Sequence, residues 1–131
     1  MKCTKMKRFI LLVVSVLLAQ LSIAQQNKGL CKMAVNDVSN VSSFGYLVSY
    51  TVQFKNTSNK SVDGIYWTAY YYNNNGDLIK SEESSFNSTS LIDPVGSGET
   101  KIIVRAPNIK GASRAIIKIK KVHFVDGTKC E

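Results

Sequence analysis

The sequence predicts an all-β protein, a single antiparallel immunoglobulin-like β-sandwich that follows an N-terminal signal peptide. Three observations predict this fold. Several segments alternate apolar and polar residues with a period of two, which is the pattern of a half-buried strand. Turn residues separate these segments at short intervals, and no segment shows a sustained helical period. A small β-barrel is the alternative arrangement of the same strands.

The predicted strands follow one another along most of the chain after residue 30. Segment 46–55 is the clearest, because one of its faces carries the residues Tyr46, Val48, Tyr50, Val52 and Phe54. Segment 65–72 alternates in the same way, and Asn75-Gly76 then signals a hairpin, since both residues accept positive φ angles. The charges of segment 78–83 predict a returning edge strand. The remaining predicted strands are 31–38, 100–106, 115–124 and 128–131.

The first 24 residues have the composition of a signal peptide. Four cations at the start precede an apolar run over residues 9–21. Ser22 and Ala24 occupy the two positions that a signal peptidase inspects, so we expect cleavage before Gln25. An uncleaved membrane anchor is the alternative, but the apolar run is shorter than the roughly 20 residues that span a bilayer. The sequence therefore predicts a secreted or periplasmic domain over residues 25–131, with no membrane span in the mature chain.

Cleavage changes both the charge and the cysteine count. The leader carries four of the 17 Lys and Arg residues, so the formal net charge falls from +8 to +4. This modest positive charge is compatible with binding to polyanions of the cell envelope, but it is too small to indicate a nucleic-acid-binding protein. Cys3 leaves with the leader, and Cys31 and Cys130 remain. In an oxidising compartment such a pair predicts a structural disulfide, because a redox pair would need the C-x-x-C spacing that is missing here.

Short motifs resemble those of the FxLYD-type immunoglobulin-like domains of exported bacterial proteins. They are the segment 54–58 (FKNTS) and, after the aromatic strand, Gly76-Asp77. The closing segment 122–128, with its D-G-T turn, also resembles the end of such domains, although Lys129-Cys130 stands where they often carry an aromatic residue. The resemblance implies a β-sandwich and an envelope setting, and it brings no catalytic residues.

No group of residues predicts an enzyme, a metal site or a cofactor. His123 is the single histidine, and no serine lies in a G-x-S-x-G elbow. Without further His or a free thiol, a zinc site lacks ligands. The Asn-rich segment 73–77 partly fits a calcium loop, but Tyr71 stands where the leading carboxylate belongs, so a hairpin is the better interpretation. Glu82 and Glu83 are strand neighbours and point to opposite faces, which favours solvated edge charges.

Two patterns on the predicted sheet surfaces are candidates for binding. Tyr66, Tyr70 and Tyr72 form a stripe opposite the Trp67 face, and amphipathic rings suit either protein anchoring or sugar stacking. Ordinary cross-strand packing of tyrosines is the alternative. Lys118 and Lys120 share a strand face that suits an acidic partner or an anionic glycan, or is simply solvated.

The sequence therefore predicts a non-enzymatic module that binds an envelope or extracellular protein through one sheet face. A carbohydrate-binding module that uses the three tyrosines is the alternative. No feature predicts binding to nucleic acid.

Overall fold

A computed structural model describes residues 29–131 as two antiparallel sheets. The predicted signal peptide, residues 1–24, lies outside the described residues. The strands are β1 (Met33–Ser43), β2 (Tyr46–Asn56), β3 (Val62–Tyr72), β4 (Leu78–Asn87), β5 (Thr100–Arg105), β6 (Ile109–Lys110), β7 (Arg114–Phe124) and β8 (Lys129–Cys130). The two sheets enclose one core, so the predicted β-sandwich is confirmed.

The strand order is immunoglobulin-like, except that one strand, β4, lies in the other sheet. One sheet has the order β1-β2-β5, with the short β6 also pairing with β2, and the other has the order β4-β3-β7-β8. In the constant-type immunoglobulin domain the fourth strand belongs to the sheet of the first, second and fifth strands. Here β4 pairs with β3 instead, so both β4 and β5 lie at sheet edges. No helix among residues 29–131 is long and apolar enough to cross a membrane.

Three strands extend at least three residues beyond the predicted segments, β3 at its start, and one strand was not predicted. β1 continues to Ser43 and β4 to Asn87, through segments that lack an apolar alternation. Both extensions are held by backbone pairing with β2 and β3. The side chains of residues 39–43 are exposed, and Phe86 is the buried residue among 84–87. The two residues of β6 are too few to give a pattern. Backbone pairing without side-chain burial leaves no signal in the sequence.

The core is centred on four aromatic side chains. Trp67 of β3 packs on Phe54 of β2 with their ring centroids 5.1 Å apart. Tyr50 of β2 and Tyr71 of β3 form a second pair at 6.3 Å. The Trp67 Nε1–H donates a hydrogen bond of 3.2 Å to the Tyr50 hydroxyl. All four side chains are almost fully buried, so the two sheets are joined through aromatic contacts and a satisfied polar pair.

Asn56, the last residue of β2, is a fully buried polar side chain. Its Nδ2 donates to the carbonyl oxygens of Lys60 at 2.7 Å and of Val95 at 2.9 Å. Its Oδ1 accepts hydrogen bonds from the Ser58 amide at 3.1 Å and from the Ser58 hydroxyl at 2.6 Å. Asn56 therefore ties the end of β2 to the β2–β3 loop and to the β4–β5 loop, both of which cross between the sheets.

The Asn-rich turn between β3 and β4 is a hairpin, as the sequence predicts. The Asn73 Oδ1 accepts hydrogen bonds from the backbone amides of Asn75 at 3.0 Å and of Asp77 at 2.9 Å. Gly76 has a φ of 83°, in the left-handed region where a side chain is strained. Because backbone amides occupy the Asn73 oxygen, the turn is organised as a local hydrogen-bonded unit.

Cys31 and Cys130 form a disulfide, in agreement with the prediction from the cysteine count. Their Cα atoms are 6.3 Å apart, and the two residues are separated by 99 positions in the sequence. Cys31 lies just before β1 and Cys130 lies in β8, so the bond links the two sheets as well as the two ends of the described chain.

Loss of the disulfide should destabilise the domain. We expect the double variant Cys31→Ala, Cys130→Ala to lose about 3 kcal/mol of unfolding free energy, because the bond restricts the unfolded chain over a long loop. Urea unfolding followed by Trp67 fluorescence measures this loss. Thiol labelling of the native protein should find neither cysteine reactive, and equal unfolding free energies for the variant and the wild type would contradict the expectation.

Removal of the buried amide of Asn56 should be equally costly. Asn56→Ala leaves the buried Val95 carbonyl without this donor and Ser58 without its acceptor, so we expect a loss of about 3 kcal/mol. Asn59→Ala, an exposed position in the same turn, is the matched control and should change the stability by less than about 0.5 kcal/mol. Urea unfolding compares the two variants, and similar losses would refute a special role for Asn56.

Candidate functional site: a tyrosine–lysine face

The core orients the three predicted tyrosines of β3. Ile65, Trp67, Ala69 and Tyr71 point into the sandwich and are almost fully buried. The alternate residues Tyr66, Tyr70 and Tyr72 therefore lie on the outer face of the β4-β3-β7-β8 sheet, where all three are half-buried. The predicted stripe exists on one surface of the domain.

The predicted lysines lie on the same surface as the tyrosines. In β7, Ile117 and Ile119 are in the core, whereas Lys118 and Lys120 are exposed. Lys118 pairs with Thr68, which lies between Tyr66 and Tyr70 on β3. The structure thus brings two separately predicted patches together. We call this surface the tyrosine–lysine face and define it by the residues Tyr66, Tyr70, Tyr72, Arg114, Lys118, Lys120 and Lys121.

Lys121 and Arg114 join the predicted Lys118 and Lys120 on this face. The register of β7 slips between Tyr66, which pairs with Lys121, and Trp67, which pairs with Ile119. Lys120 is the extra residue, so this bulge places Lys120 and Lys121 side by side near the outer surface. The sequence does contain a signal, because the apolar alternation changes phase between Ile119 and Val122. Arg114, at the start of β7, has no comparable signal.

Cations cover part of the tyrosine stripe. The Lys121 Nζ lies 4.2 Å from the centroid of the Tyr66 ring. The Arg114 guanidinium lies 5.4 Å from the centroid of the Tyr72 ring. The Tyr66 hydroxyl donates a hydrogen bond of 2.8 Å to the Asn87 Oδ1. These cation–π contacts and the hydrogen bond restrict the rotamers of both aromatic side chains.

Gly64 provides the space that the Tyr66 side chain occupies. A Cβ atom at Gly64 would lie 3.1 Å from the Tyr66 Cε2 and 3.3 Å from the Asn87 Oδ1, and both distances are tighter than ordinary contact. The Tyr66 ring and its hydrogen bond to Asn87 therefore depend on the absence of a side chain at this position.

The face has an excess of positive charge. The Lys120 Nζ is 3.1 Å from the Glu83 Oε1, in an ion pair with exposed partners. Within residues 29–131, no ion pair involves Arg114, Lys118 or Lys121. A shallow groove of about 480 Å³ opens on this side of the domain. Its lining residues are Tyr66, Trp67, Glu83, Ser84, Lys120, Lys121 and Glu131.

Thr68 is an unusual residue at the centre of this face. Its side chain is buried, and its hydroxyl has no hydrogen-bond partner among the described residues. A buried hydroxyl without a partner costs about 1–3 kcal/mol relative to a paired one. The centre of the tyrosine–lysine face therefore keeps an unused hydrogen-bonding group.

A second, smaller cleft lies between β4 and β5. It has a volume of about 160 Å³ and is lined by the polar residues Tyr50, Tyr71, Glu82, Glu83, Ser84 and Arg105, together with Ala106 and Pro107. Most of the polar groups are already paired within the domain. The Tyr71 hydroxyl donates to the Glu82 Oε2 at 3.3 Å, and the Arg105 Nε donates to the Ser84 hydroxyl at 3.1 Å. These polar contacts close the side of the sandwich where β4 and β5 face each other without backbone pairing.

The two phenols of this cleft are held in their neutral form. Burial raises the pKa of Tyr50, although its hydrogen bond with Trp67 and the charge of Arg105 oppose the shift. Burial also raises the pKa of Tyr71, and the neighbouring Tyr50 and Glu82 add to the effect. Both hydroxyls therefore stay protonated near neutral pH.

His123 pairs with an acidic residue and not with a nucleophile. The His123 Nδ1 lies 2.5 Å from the Asp63 Oδ1, and both side chains are partly exposed. A histidine bonded to a carboxylate supplies two of the three members of a Ser-His-Asp triad. Within the described chain, however, no hydroxyl or thiol group is hydrogen-bonded to His123. Residues 29–131 also contain no cluster of three or more His, Cys, Asp or Glu residues that would hold a metal ion.

Comparison with known proteins shows the fold and gives no family. No family model matches the sequence, and no curated protein is significantly similar to it. Among solved structures, a hypothetical protein from Peptoclostridium difficile 630 has a TM-score of 0.53 and 10% identity, over 75% of this chain and 85% of that chain. That likeness supports a shared small β-domain fold. The FxLYD-type resemblance is not confirmed by any of these comparisons.

Two further structures have lower scores. A member of the DUF1425 family from Shewanella sp. pv-4 has a TM-score of 0.47 and 15% identity, over 67% of this chain and 76% of that chain. A structural genomics target has a TM-score of 0.44 and 10% identity, over 76% of this chain and 78% of that chain.

The raised pKa of Tyr71 predicts a loss of stability in alkali. In the unfolded chain this phenol ionises near its ordinary pKa of 10.0, while in the folded protein it stays protonated to higher pH. The contribution of Tyr71 is therefore fully present below the unfolded pKa and is lost as the pH rises above it. Between about pH 9 and about pH 11, we expect the wild type to lose roughly 1 kcal/mol more than Tyr71→Phe. Urea unfolding across this range measures both slopes, and equal slopes would contradict the prediction.

Proposed function

We propose that this protein is a secreted or periplasmic, non-enzymatic binding module whose tyrosine–lysine face binds an acidic protein partner. The observation that carries the proposal is the convergence of two patterns on one surface. The tyrosines lie on β3 and the lysines on β7, and the pairing of these two strands places them side by side.

The composition of the face favours a protein partner. Tyrosine and arginine are, with tryptophan, the residue types that often dominate the binding energy at protein interfaces. Lysine is normally depleted there, so the lysines of this face call for a partner of opposite charge. A lysine-rich surface with tyrosines at its centre therefore suits a partner that supplies carboxylates. Arg114, Lys118 and Lys121 have no carboxylate partner within residues 29–131, so they are available for such contacts.

The geometry of the face also favours tight binding over a nonspecific charge attraction. Lys121 and Arg114 lie on the rings of Tyr66 and Tyr72, and Tyr66 is fixed by its hydrogen bond to Asn87. Side chains that are already ordered lose less entropy when a partner binds. The Thr68 hydroxyl, which has no partner among the described residues, can form a specific hydrogen bond with the bound protein once the neighbouring side chains of the face move aside.

The carbohydrate-binding alternative is less well supported by this arrangement. Sugar stacking needs open ring faces, and two of the three tyrosines have a cation over the ring. A neutral glycan would have to displace these cations. An acidic protein would instead contact both the cations and the exposed edges of the rings.

The setting and the absence of catalysis are part of the proposal. A disulfide that links the two sheets suits an oxidising compartment, which agrees with the predicted leader. The polar groups of the β4–β5 cleft bond mainly to one another, and the two phenols there are neutral. We therefore propose that the domain acts by binding a partner and not by catalysis.

Capture experiments with charge-reversed variants test the proposal. Tagged protein is used to capture partners from the envelope of the native host, and bound protein and glycan are both identified. We expect the wild type to retain a discrete acidic protein, and Lys118→Glu with Lys120→Glu to reduce its recovery about tenfold, because like charges would then face each other. Tyr70→Ala should reduce the recovery as well. Added salt should weaken the remaining binding, since exposed charges are screened.

A matched control separates the face from the overall charge. Lys55→Glu with Lys110→Glu changes the net charge equally, and these residues lie on the strands of the other sheet. This control should bind like the wild type. Equal losses in both double variants, or recovery of no protein by the wild type, would refute the proposal. Recovery of polysaccharide alone, sensitive to Tyr70→Ala, would support the carbohydrate alternative instead.

A further inference from the structure

β5 is an edge strand whose second side is free. It pairs with β2, and within residues 29–131 no other strand pairs with it. The unpaired N–H and C=O groups of such an edge can add one more strand to the sheet. The end of β5 also contacts β4, because the Arg105 Nη2 donates to the Ser85 carbonyl at 2.8 Å. This edge belongs to the opposite sheet from the tyrosine–lysine face.

The outer side chains of β5 are apolar and exposed. Ile102 and Val104 have exposed fractions of 58% and 60%, while Ile103 between them is 6% exposed and lies in the core. Edge strands of soluble proteins are usually protected from pairing by outward charges, proline or a covering loop. β4 follows that rule with three charged residues. β5 presents apolar side chains on its outer face instead.

A groove runs beside the free edge of β5. It has a volume of about 340 Å³ and is lined by residues 101–105, by Ile92 and by the β4 residues Ser85, Phe86 and Asn87. Five residues of an extended chain span about 17 Å. The groove therefore follows residues 101–105 of β5, and its lining combines apolar side chains with polar ones, as an added strand with both kinds of residue requires.

The charges at the two ends of β5 select the strand that fits. Lys101 and Arg105 share one face of β5, because they pair with the core residues Phe54 and Tyr50. Within the described residues, neither cation forms an ion pair with a carboxylate. The Arg105 guanidinium donates to Ser84 and to the Ser85 and Val104 carbonyls, and the Lys101 Nζ lies 4.9 Å from the Phe86 ring centroid. In an antiparallel pair of two copies centred on Ile103, Lys101 of each copy would lie opposite Arg105 of the other. Like charges directly opposite each other destabilise a strand pair, so a second copy is a poor occupant.

We propose that the free edge of β5 binds an extended segment of another protein as an added strand. The segment carries acidic residues four positions apart, opposite Lys101 and Arg105, and apolar residues between them that pack beside Ile102 and Val104. Backbone hydrogen bonds supply the affinity, and the two charge pairs and the apolar contacts supply the specificity. The added strand would lie along the other sheet from the tyrosine–lysine face, and the two surfaces meet at Asn87, which lines the groove and accepts the Tyr66 hydrogen bond.

A synthetic peptide provides the probe. It has the sequence Thr-Glu-Val-Thr-Val-Glu-Thr with blocked ends, which places the two acidic side chains four residues apart. Titration of the oxidised ¹⁵N-labelled protein should shift the amide signals of residues 101–105, and peptide binding should slow their hydrogen exchange. The matched peptide with Lys in place of both Glu residues should bind about tenfold more weakly. Two further peptides are methylated on alternate backbone nitrogens, one along each edge of the extended peptide. If the peptide adds as a strand, methylation of the edge that faces β5 prevents binding and methylation of the other edge does not, because a methylated nitrogen cannot donate a hydrogen bond.

Protein variants complete the test. Lys101→Glu should weaken binding of the acidic peptide about tenfold and should improve binding of the lysine peptide, a reversal that simple loss of folding would not produce. Lys55→Glu, on the neighbouring strand, should leave binding unchanged. Signal changes confined to the tyrosine–lysine face would overturn the proposal and leave the proposed function intact. Equal binding of both N-methylated peptides and the unmodified peptide, or no shift in residues 101–105, would also overturn it, as would a dimer of the free protein paired through β5.

Discussion

The buried side-chain amide of Asn56 is the interaction on which the two-sheet architecture most depends. It satisfies carbonyl groups in both loops that cross between the sheets at one end of the sandwich, and it accepts two hydrogen bonds from Ser58. An amide suits this position because it donates and accepts at once, which neither an aliphatic nor an acidic side chain can do. The disulfide at the chain ends and the aromatic pairs of the core then hold the sheets in the arrangement that these loops permit.

The outer surface follows from the inner packing. Trp67 and Tyr71 are fixed by contacts with Phe54 and Tyr50, and a strand whose inner residues are fixed has no freedom in the direction of its outer residues. The tyrosine stripe is therefore rigid in position. The bulge at Lys120 in β7 adds a second constraint, since it brings an additional cation to this surface while Val122 stays in the core.

The change of sheet by β4 has consequences at both edges. Because β4 pairs with β3, it widens the sheet that carries the tyrosines, and its Glu83 reaches Lys120. The same change removes the strand that would cover β5 in a constant-type immunoglobulin domain. The pairing of β4 with β3 thus broadens the sheet that carries the tyrosine–lysine face and leaves the other sheet with an open edge at β5, whose outer side chains are apolar.

The sequence by itself determined the all-β class, most of the strands and the inward face of most of their residues, because burial in a strand follows a local period of two. Leu47 is an exception, since the alternation predicts it on the polar face of β2 and it is fully buried. It also indicated the Cys31–Cys130 pair and both halves of the tyrosine–lysine face. The tertiary structure alone decided that the two halves meet, since β3 and β7 are about 50 residues apart and their pairing leaves no local pattern. The extensions of β1 and β4 and the open edge of β5 depend likewise on backbone hydrogen bonds between distant strands, which side-chain periodicity does not encode.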